Sequence, residues 1–333
     1  RRGVPYPQRL ERMEVSAMAK EAPVSLPKVK YGLRRLFKGS HERSGILTYV
    51  LIYALLIGVG FVYIYPLIYM ITTSFMTPSD LVDPTVGWLP TEWYIGNFVQ
   101  AFNVLEYPKS LLTSILTSAA PAIAQTLSTA VIAYGLARFE FPLKKMWFVL
   151  LVAAFIIPVQ VTLIPNYVWF KTHFLTGSVL STLLPALFGQ GIKSSLFVLI
   201  FYQFYRSYPK ALDEAAAIDG AGRVKTFIRI AIPMAASAIL VTFLFSFIWY
   251  WNETTKSGMF FEGKIQTLPL QLQNFVDSYT KMYPANDFST TNRINESIRL
   301  AGTLLTVAPL LILYVALQRK FIEGIERTGL TGE

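Results

Sequence analysis

Residues 44–79 read SGILTYVLIYALLIGVGFVYIYPLIYMITTSFMTPS, 36 positions without one Asp, Glu, Lys or Arg. A helix that crosses the hydrocarbon core of a bilayer needs about 20 mostly apolar residues at 1.5 Å each. The run is longer than one crossing, which places a helix near 46–73 and leaves its end for an exit loop. Four more runs lack formal charge: 110–137, 146–170, 230–252 and 300–318. A single soluble domain rarely buries five such segments, and only 15% of the chain is charged against about 25% in soluble domains. The pattern predicts an all-α membrane protein.

Charge placement orients the spans. The net charge is +10. On a soluble chain this would suggest nucleic acid; here it fits basic loops held on the cytoplasmic side, and no nucleic-acid partner is expected. Segment 172–205 is ambiguous, because Gly177, Pro185, Gly189 and Gly191 punctuate it. It holds either one helix near 191–208 after a short non-spanning piece, or two spans. With six spans and both termini inside, the inner segments carry 22 Lys and Arg and the outer ones 7. A seventh span would put the basic loop 206–229 outside. Six spans follow: about 46–73, 110–137, 146–170, 191–208, 231–252 and 297–318. The first 43 residues form a basic cytoplasmic tail without an apolar start, so no cleavable signal peptide is expected. That tail is either solvated or held to anionic membrane lipid. Residues 76–108, rich in Pro and Trp, read as an ordered outer loop.

Pro121, Pro158, Pro165 and Pro309 fall inside spans. Each removes a backbone donor and favours a kink, and the freed carbonyls need partners other than lipid. As a set they suit a bundle that moves. There is no cysteine, and no metal site is expected. His41 and His173 stand far apart, without HExxH or a nucleophile elbow, so nothing points to an enzyme. No GxxxxGK[ST] phosphate loop occurs. The charge-free spans lack the buried carboxylates that a secondary transporter uses for ion coupling.

The strongest local signal is Glu214-Ala215-Ala216-Ala217-Ile218-Asp219-Gly220, then nine residues, then Ile230-Ala231-Ile232-Pro233. Residues 212–218 favour a short helix. Asp213 and Glu214 suit its positive end, and Gly220 permits a sharp turn. Residues 224–230 form a second short helix, and Pro233 suits the first turn of the next span. The product is an amphipathic elbow whose small face (Ala215, Ala216, Ala217) admits close approach by another protein. An ordinary interfacial loop is the plainer alternative.

Glu-Ala-Ala, three residues, Gly, nine residues, Ile-x-Leu-Pro is the signature of membrane subunits of binding-protein-dependent ABC importers. This chain matches it with Ile232 in place of Leu. Residues 201–221, FYQFYRSYPKALDEAAAIDGA, resemble the carbohydrate branch of that family. Ile156-Ile157-Pro158 through Ile164-Pro165-Asn166-Tyr167 and QRKFIEG at 318–324 agree. The resemblance covers about 45–325 and implies a type I ABC importer-like bundle, with a permease domain over 44–325 and a C-terminal tail at 326–333. The tail departs from the family's usual Gly-Ala-Val-Lys-Gly-like end.

The resemblance further implies that loop 210–233 contains a coupling helix that sits in a cleft of a separate ATPase. Glu214, Ala215, Ala216, Asp219, Gly220, Ile230 and Pro233 would do the coupling. ATP and Mg would be bound by that ATPase, and this chain would need no cofactor of its own. The implied partners are a second homologous permease subunit, two ATPase copies and an extracytoplasmic solute-binding protein. The implied location is a bacterial cytoplasmic (inner) membrane. The cargo would be a sugar or oligosaccharide, with glycerol phosphate or a polyamine as the alternative. Gln160, Asn166, Tyr167, Trp249 and Asn252 are candidates for the substrate path, because polar groups in a span are costly unless they face a cavity or partner. Each could equally serve as a helix–helix hydrogen bond. Residues 279–295 read as a polar insertion with Asn286, Asn292 and Asn295, either touching a partner or passive.

Overall fold

The structure, a computed structural model, describes residues 39–40, 43–44, 46–284 and 293–327, with side chains over 46–284 and 293–319. Its regular elements are helices apart from a two-residue antiparallel pair, β1 (Gly39–Ser40) with β2 (Arg43–Ser44). The described residues form two bodies, one ending at Ile68 and the other beginning at Tyr69. The basic tail before Gly39, Asn286, Asn292 and the last residues after Arg327 lie outside the described residues.

Helix α1 (Ile46–Ser74) fills most of the first charge-free run, and its most apolar 18 residues have mean hydropathy 2.2. It contains Pro66, an intrahelical proline that the reading of the other spans passed over. The loop after α1 is ordered by specific bonds. Asn97 Nδ2 donates to the carbonyls of Ser74 and Met76, each at 2.9 Å. Phe75 packs on Trp93 and Phe98. Asp80 accepts from the Thr77 backbone N–H and the Thr91 hydroxyl. Asn97 opens into α2 (Gly96–Val104).

Helix α3 (Tyr107–Arg138) is the hub of the second body. Its buried face is built of small residues: Ser110, Ser114, Ser118, Ala122, Thr126, Thr129, Ala130 and Ala133. In a lipid environment small side chains let helix backbones approach closely. Three of the hydroxyls donate one turn back, Ser114 to Ser110 O at 2.7 Å, Thr126 to Ala122 O at 2.8 Å and Thr129 to Gln125 O at 2.7 Å. Around α3 pack α6 (Leu180–Leu187), α7 (Ser194–Ser207) and α11 (Ala236–Asn252). Helix α15 (Glu296–Arg327) packs on α2 and α11. Gln125 is fully buried in mid-α3. Its Nε2 donates to Ile192 O at 2.6 Å, and its Oε1 accepts from Ser246 Oγ at 3.2 Å. Tyr250 Oη accepts from the Ile192 N–H, so this network fixes the turn that enters α7.

Two of the expected spans are broken rods. Segment 146–170 is α4 (Lys144–Ile156) and α5 (Val159–Thr172), bent by 98°. The cause is local: Ile157, which precedes Pro158, is forced into extended geometry at ψ 124°. Segment 231–252 is divided in the same way. The short helices α9 (Arg223–Thr226) and α10 (Ile232–Met234), with a π-helical stretch between them (Phe227–Ala231), meet α11 at 77°. Pro121 and Pro309, by contrast, lie inside helices that continue past them.

By length and composition α1, α3 and α15 can each cross a membrane, and the two bent pairs bring the number to five. Helix α7, at 14 residues, is about 21 Å long, short of the roughly 30 Å hydrocarbon core. With 8 residues α6 is too short to cross. Between Asn252 and α15 lie α12 (Thr255–Phe260), α13 (Leu268–Gln273) and α14 (Phe275–Met282). Tyr279, taken from sequence as the start of a surface insertion, is buried and donates to Gln100 Oε1 at 3.0 Å. Asn295, at the other end of that segment, caps α15 by accepting from the Ile298 N–H.

Candidate functional site

The elbow begins where α7 ends. Tyr208 is extended at ψ 149°, Pro209 follows, and α8 (Ala211–Ile218) starts at once. Helix α8 closes with a Schellman arrangement: the Ala221 N–H donates to Ala216 O at 2.8 Å and the Gly220 N–H to Ala217 O at 3.1 Å. Gly220 sits at φ +73°, a conformation that costs residues with a Cβ. Gly222 then leads into α9, and the Ile232 N–H donates five residues back to Phe227 O, closing the π stretch. Pro233 explains the wide turn: it has no N–H to offer the Arg229 carbonyl four residues earlier.

Glu214 is exposed in the first turn of α8, without a side-chain hydrogen bond or ion pair among the described residues. Asp219 and Gly220 are exposed at its far end, Ile230 is half-buried and Pro233 exposed. The alanines do not form one face. Ala216 is buried, while Ala215 and Ala217 point outward. Successive helix residues are turned by about 100°, so three in a row cannot share a side. The outward surface is more apolar than the sequence pattern suggested: Ile218 is 87% exposed, Val224 72% and Ile228 56%.

The sequence reading gave Asp213 only a place near the helix dipole. In the structure it fastens the elbow. Arg138, the last residue of α3, is almost wholly buried. Its Nη2 donates to Tyr208 O at 2.7 Å, and its guanidinium lies 3.6 Å above the Tyr208 ring. Arg138 Nε is 3.4 Å from Asp213 Oδ2, an ion pair without hydrogen-bond alignment. Tyr208 Oη donates to Asp213 Oδ1 at 2.8 Å, which closes the ring. The neighbouring Tyr134 ring packs on Phe139, Tyr205 and Phe227, tying α3 to the second limb of the elbow. The only sequence signal for this cluster was that a charged residue ended the run 110–137.

The candidate path residues fall into two groups. Gln160 and Asn166 are exposed on α5. Tyr167 accepts from Lys171 Nζ at 3.1 Å, donates to Glu262 Oε1 at 3.1 Å and meets Phe260 edge-on. The Tyr167 hydroxyl is the main cause that holds Lys171 above the usual lysine value, with Glu262 adding to it. The same hydroxyl, ahead of Lys171, holds Glu262 below the usual carboxylate range. On α11, Trp249 packs against Phe197 and Phe245. The Asn252 amide donates to Ile248 O in its own helix. Among the described residues no hydrogen bond or ring contact links the α5 group to Trp249 or Asn252. No group of three or more His, Cys, Asp or Glu placed to hold a metal occurs among the described residues.

Comparison with known proteins gives three relevant likenesses. The probable ABC transporter permease protein YurM of Bacillus subtilis (strain 168) is 26% identical over 271 residues, 80% of this chain and 84% of that protein. The diacetylchitobiose uptake system permease protein NgcG of Streptomyces coelicolor is 26% identical over 299 residues, 89% of this chain and 92% of that one. In fold, the chain is similar to a subunit in the crystal structure of a bacterial ABC transporter involved in import of the acidic polysaccharide alginate. The TM-score is 0.68 at 17% identity, over 82% of this chain and 96% of the other. The profile described as "Binding-protein-dependent transport system inner membrane component" matches residues 127–327, which include the whole elbow. The chain thus belongs to the family of inner membrane components of binding-protein-dependent transport systems, the permease subunits of ABC importers.

Proposed function

We propose that this permease carries a sugar or oligosaccharide, and that the elbow over 210–233 is its docking point for a separate ATPase. The observation that carries the docking role is the split of two adjacent acids. Asp213 is used up in holding the elbow, whereas Glu214 faces outward beside Ala215, Ala217 and Ile218. A short, rigidly capped helix with a free carboxylate and an apolar rim suits a cleft lined with basic and apolar groups. Asp219, Gly220, Ile230 and Pro233 set the turn on which that helix is offered. ATP and Mg belong to the ATPase. Two ATPase copies, a second homologous permease and an extracytoplasmic binding protein complete the assembly.

Six spans with both termini in the cytoplasm put the elbow on the same side as the basic segments. In that arrangement α7 is the fourth of the six crossings, completed by residues on either side of it. The sugar cargo rests on the likeness to a relative named for diacetylchitobiose uptake. Tyr167, Trp249 and the amides of Gln160, Asn166 and Asn252 are the candidates that line its path.

The chain has no cysteine, so Ile218→Cys creates a single labelling site. A membrane-impermeant maleimide should label it in inside-out vesicles and not in sealed cells, and added ATPase should protect it. Labelling from the outside would sink the assignment. Cargo is read separately, by uptake of a panel of labelled sugars, glycerol phosphate and polyamines into cells that express the whole transporter.

A further inference from the structure

We infer that Arg138, Tyr208 and Asp213 form a latch that makes the elbow move as one body with α3, and that Arg138 and Asp213 are positioning residues for coupling rather than for docking. The inference rests on the elbow's role as docking point and deepens it.

The three residues come from three elements: the last turn of α3, the end of α7 and the first turn of α8. Their contacts close on themselves. The two carboxylate oxygens of Asp213 go to different partners, Oδ1 to the Tyr208 hydroxyl and Oδ2 to the Arg138 guanidinium. Arg138 in turn holds Tyr208 twice, through its carbonyl and through its ring face. A buried guanidinium is costly to strand without its carboxylate. The ring therefore resists opening at any one contact.

Burial supports the division of labour. The Arg138 side chain is 5% exposed and that of Asp213 25%, so the pair faces the bundle and not the surface a partner would cover. The second limb of the elbow is held to the same helix end. Tyr134 of α3 packs on Phe227 at 4.9 Å, and Arg223 lies over the Phe139 ring at 4.9 Å. A displacement applied to α8 is thus delivered to the end of α3. Because α6, α7 and α11 all pack along α3, that helix end is where a push can reach the whole bundle.

The test uses the complete transporter, with ATPase, second permease and binding protein, in proteoliposomes. The readouts are ATPase co-purification and solute transported per ATP hydrolysed. Asp213→Asn keeps the size and removes the charge; Tyr208→Phe keeps the ring and removes one hydroxyl. Both should retain the ATPase while solute moved per ATP falls, by about tenfold for Asp213→Asn, the scale of losing one charge-assisted contact. Glu214→Lys should instead lose the ATPase. Paired Arg138→Cys and Asp213→Cys substitutions should be uncoupled until a short bismaleimide bridges them, and coupling should then recover. A purely structural role predicts no such recovery.

Normal coupling in both Asp213→Asn and Tyr208→Phe would overturn the inference, as would loss of the ATPase from Asp213→Asn or a bridged pair that stays uncoupled. If Asp213→Asn does not reach the membrane, Tyr208→Phe decides. Absence of the ATPase from the unaltered complex would count against the docking role itself, a separate outcome.

Discussion

Replacing Gly220 by alanine isolates the backbone from everything else at the turn. A Cβ built at this position meets nothing within 4 Å, so no steric clash contributes. What remains is φ, held at +73° by the two hydrogen bonds that close α8. An L-residue in the left-handed region costs about 1–2 kcal/mol, and at an incompatible φ the entropy lost from the unfolded chain does not compensate. A local penalty of about 1 kcal/mol raises the open population of the turn about fivefold. Asparagine tolerates this region far better than alanine. Proline cannot reach it, because its ring fixes φ near −65°, and it also removes the N–H donated to Ala217. Amide hydrogen exchange over 211–226 in the assembled transporter reads the opening directly, and uptake reads its consequence. The expected order of protection is glycine, asparagine, alanine, proline. If alanine matched glycine while asparagine did worse, side-chain contact and not backbone geometry would govern the turn.

Three further expectations concern stability and pH. Gln125→Leu strands the Ile192 carbonyl and the Ser246 hydroxyl in an apolar interior and should cost about 2–4 kcal/mol; thermal unfolding in detergent measures it. Burial pushes the Asp80 carboxyl up, but hydrogen bonds from Thr91 and Thr77 outweigh it and leave its pKa below the usual value. Its contribution to the order of the loop after α1 is therefore fully present above the ordinary carboxylate value, about 4, and is lost as pH falls through the depressed value. Fluorescence of Trp88 and Trp93 should report that loss on acidification, and Asp80→Asn should remove the pH dependence. Tyr167→Phe takes away the hydroxyl that joins Lys171 to Glu262. It should bring the Glu262 titration back toward the ordinary glutamate range, and an unchanged titration would show that Lys171 alone sets it.

The sequence located what depends on composition. Charge-free runs marked α1, α3 and α15, because a bilayer-length apolar stretch needs no tertiary information to recognise. The elbow was legible for a related reason: Gly220 and Pro233 act on their own backbone, and their spacing fixes a turn before any packing occurs. The effect of the other prolines was not legible. Pro158 bends the chain sharply, while Pro121 lies in a helix wrapped by α6, α7 and α11 that holds its course. The difference lies in the neighbours, which the local sequence does not encode. The Arg138 latch was invisible for the same reason, since Tyr208 is 70 residues along the chain from it. Three consecutive alanines looked like a surface because their small size was read before their angular spacing.

The π-helical stretch at Phe227–Ala231 sets a rule about length. One more residue is wound into that turn than an α-helix would take, so everything before it is rotated by about 100° relative to α10. Deleting one residue there would restore α-helical winding and turn the elbow's outward side by about 100°.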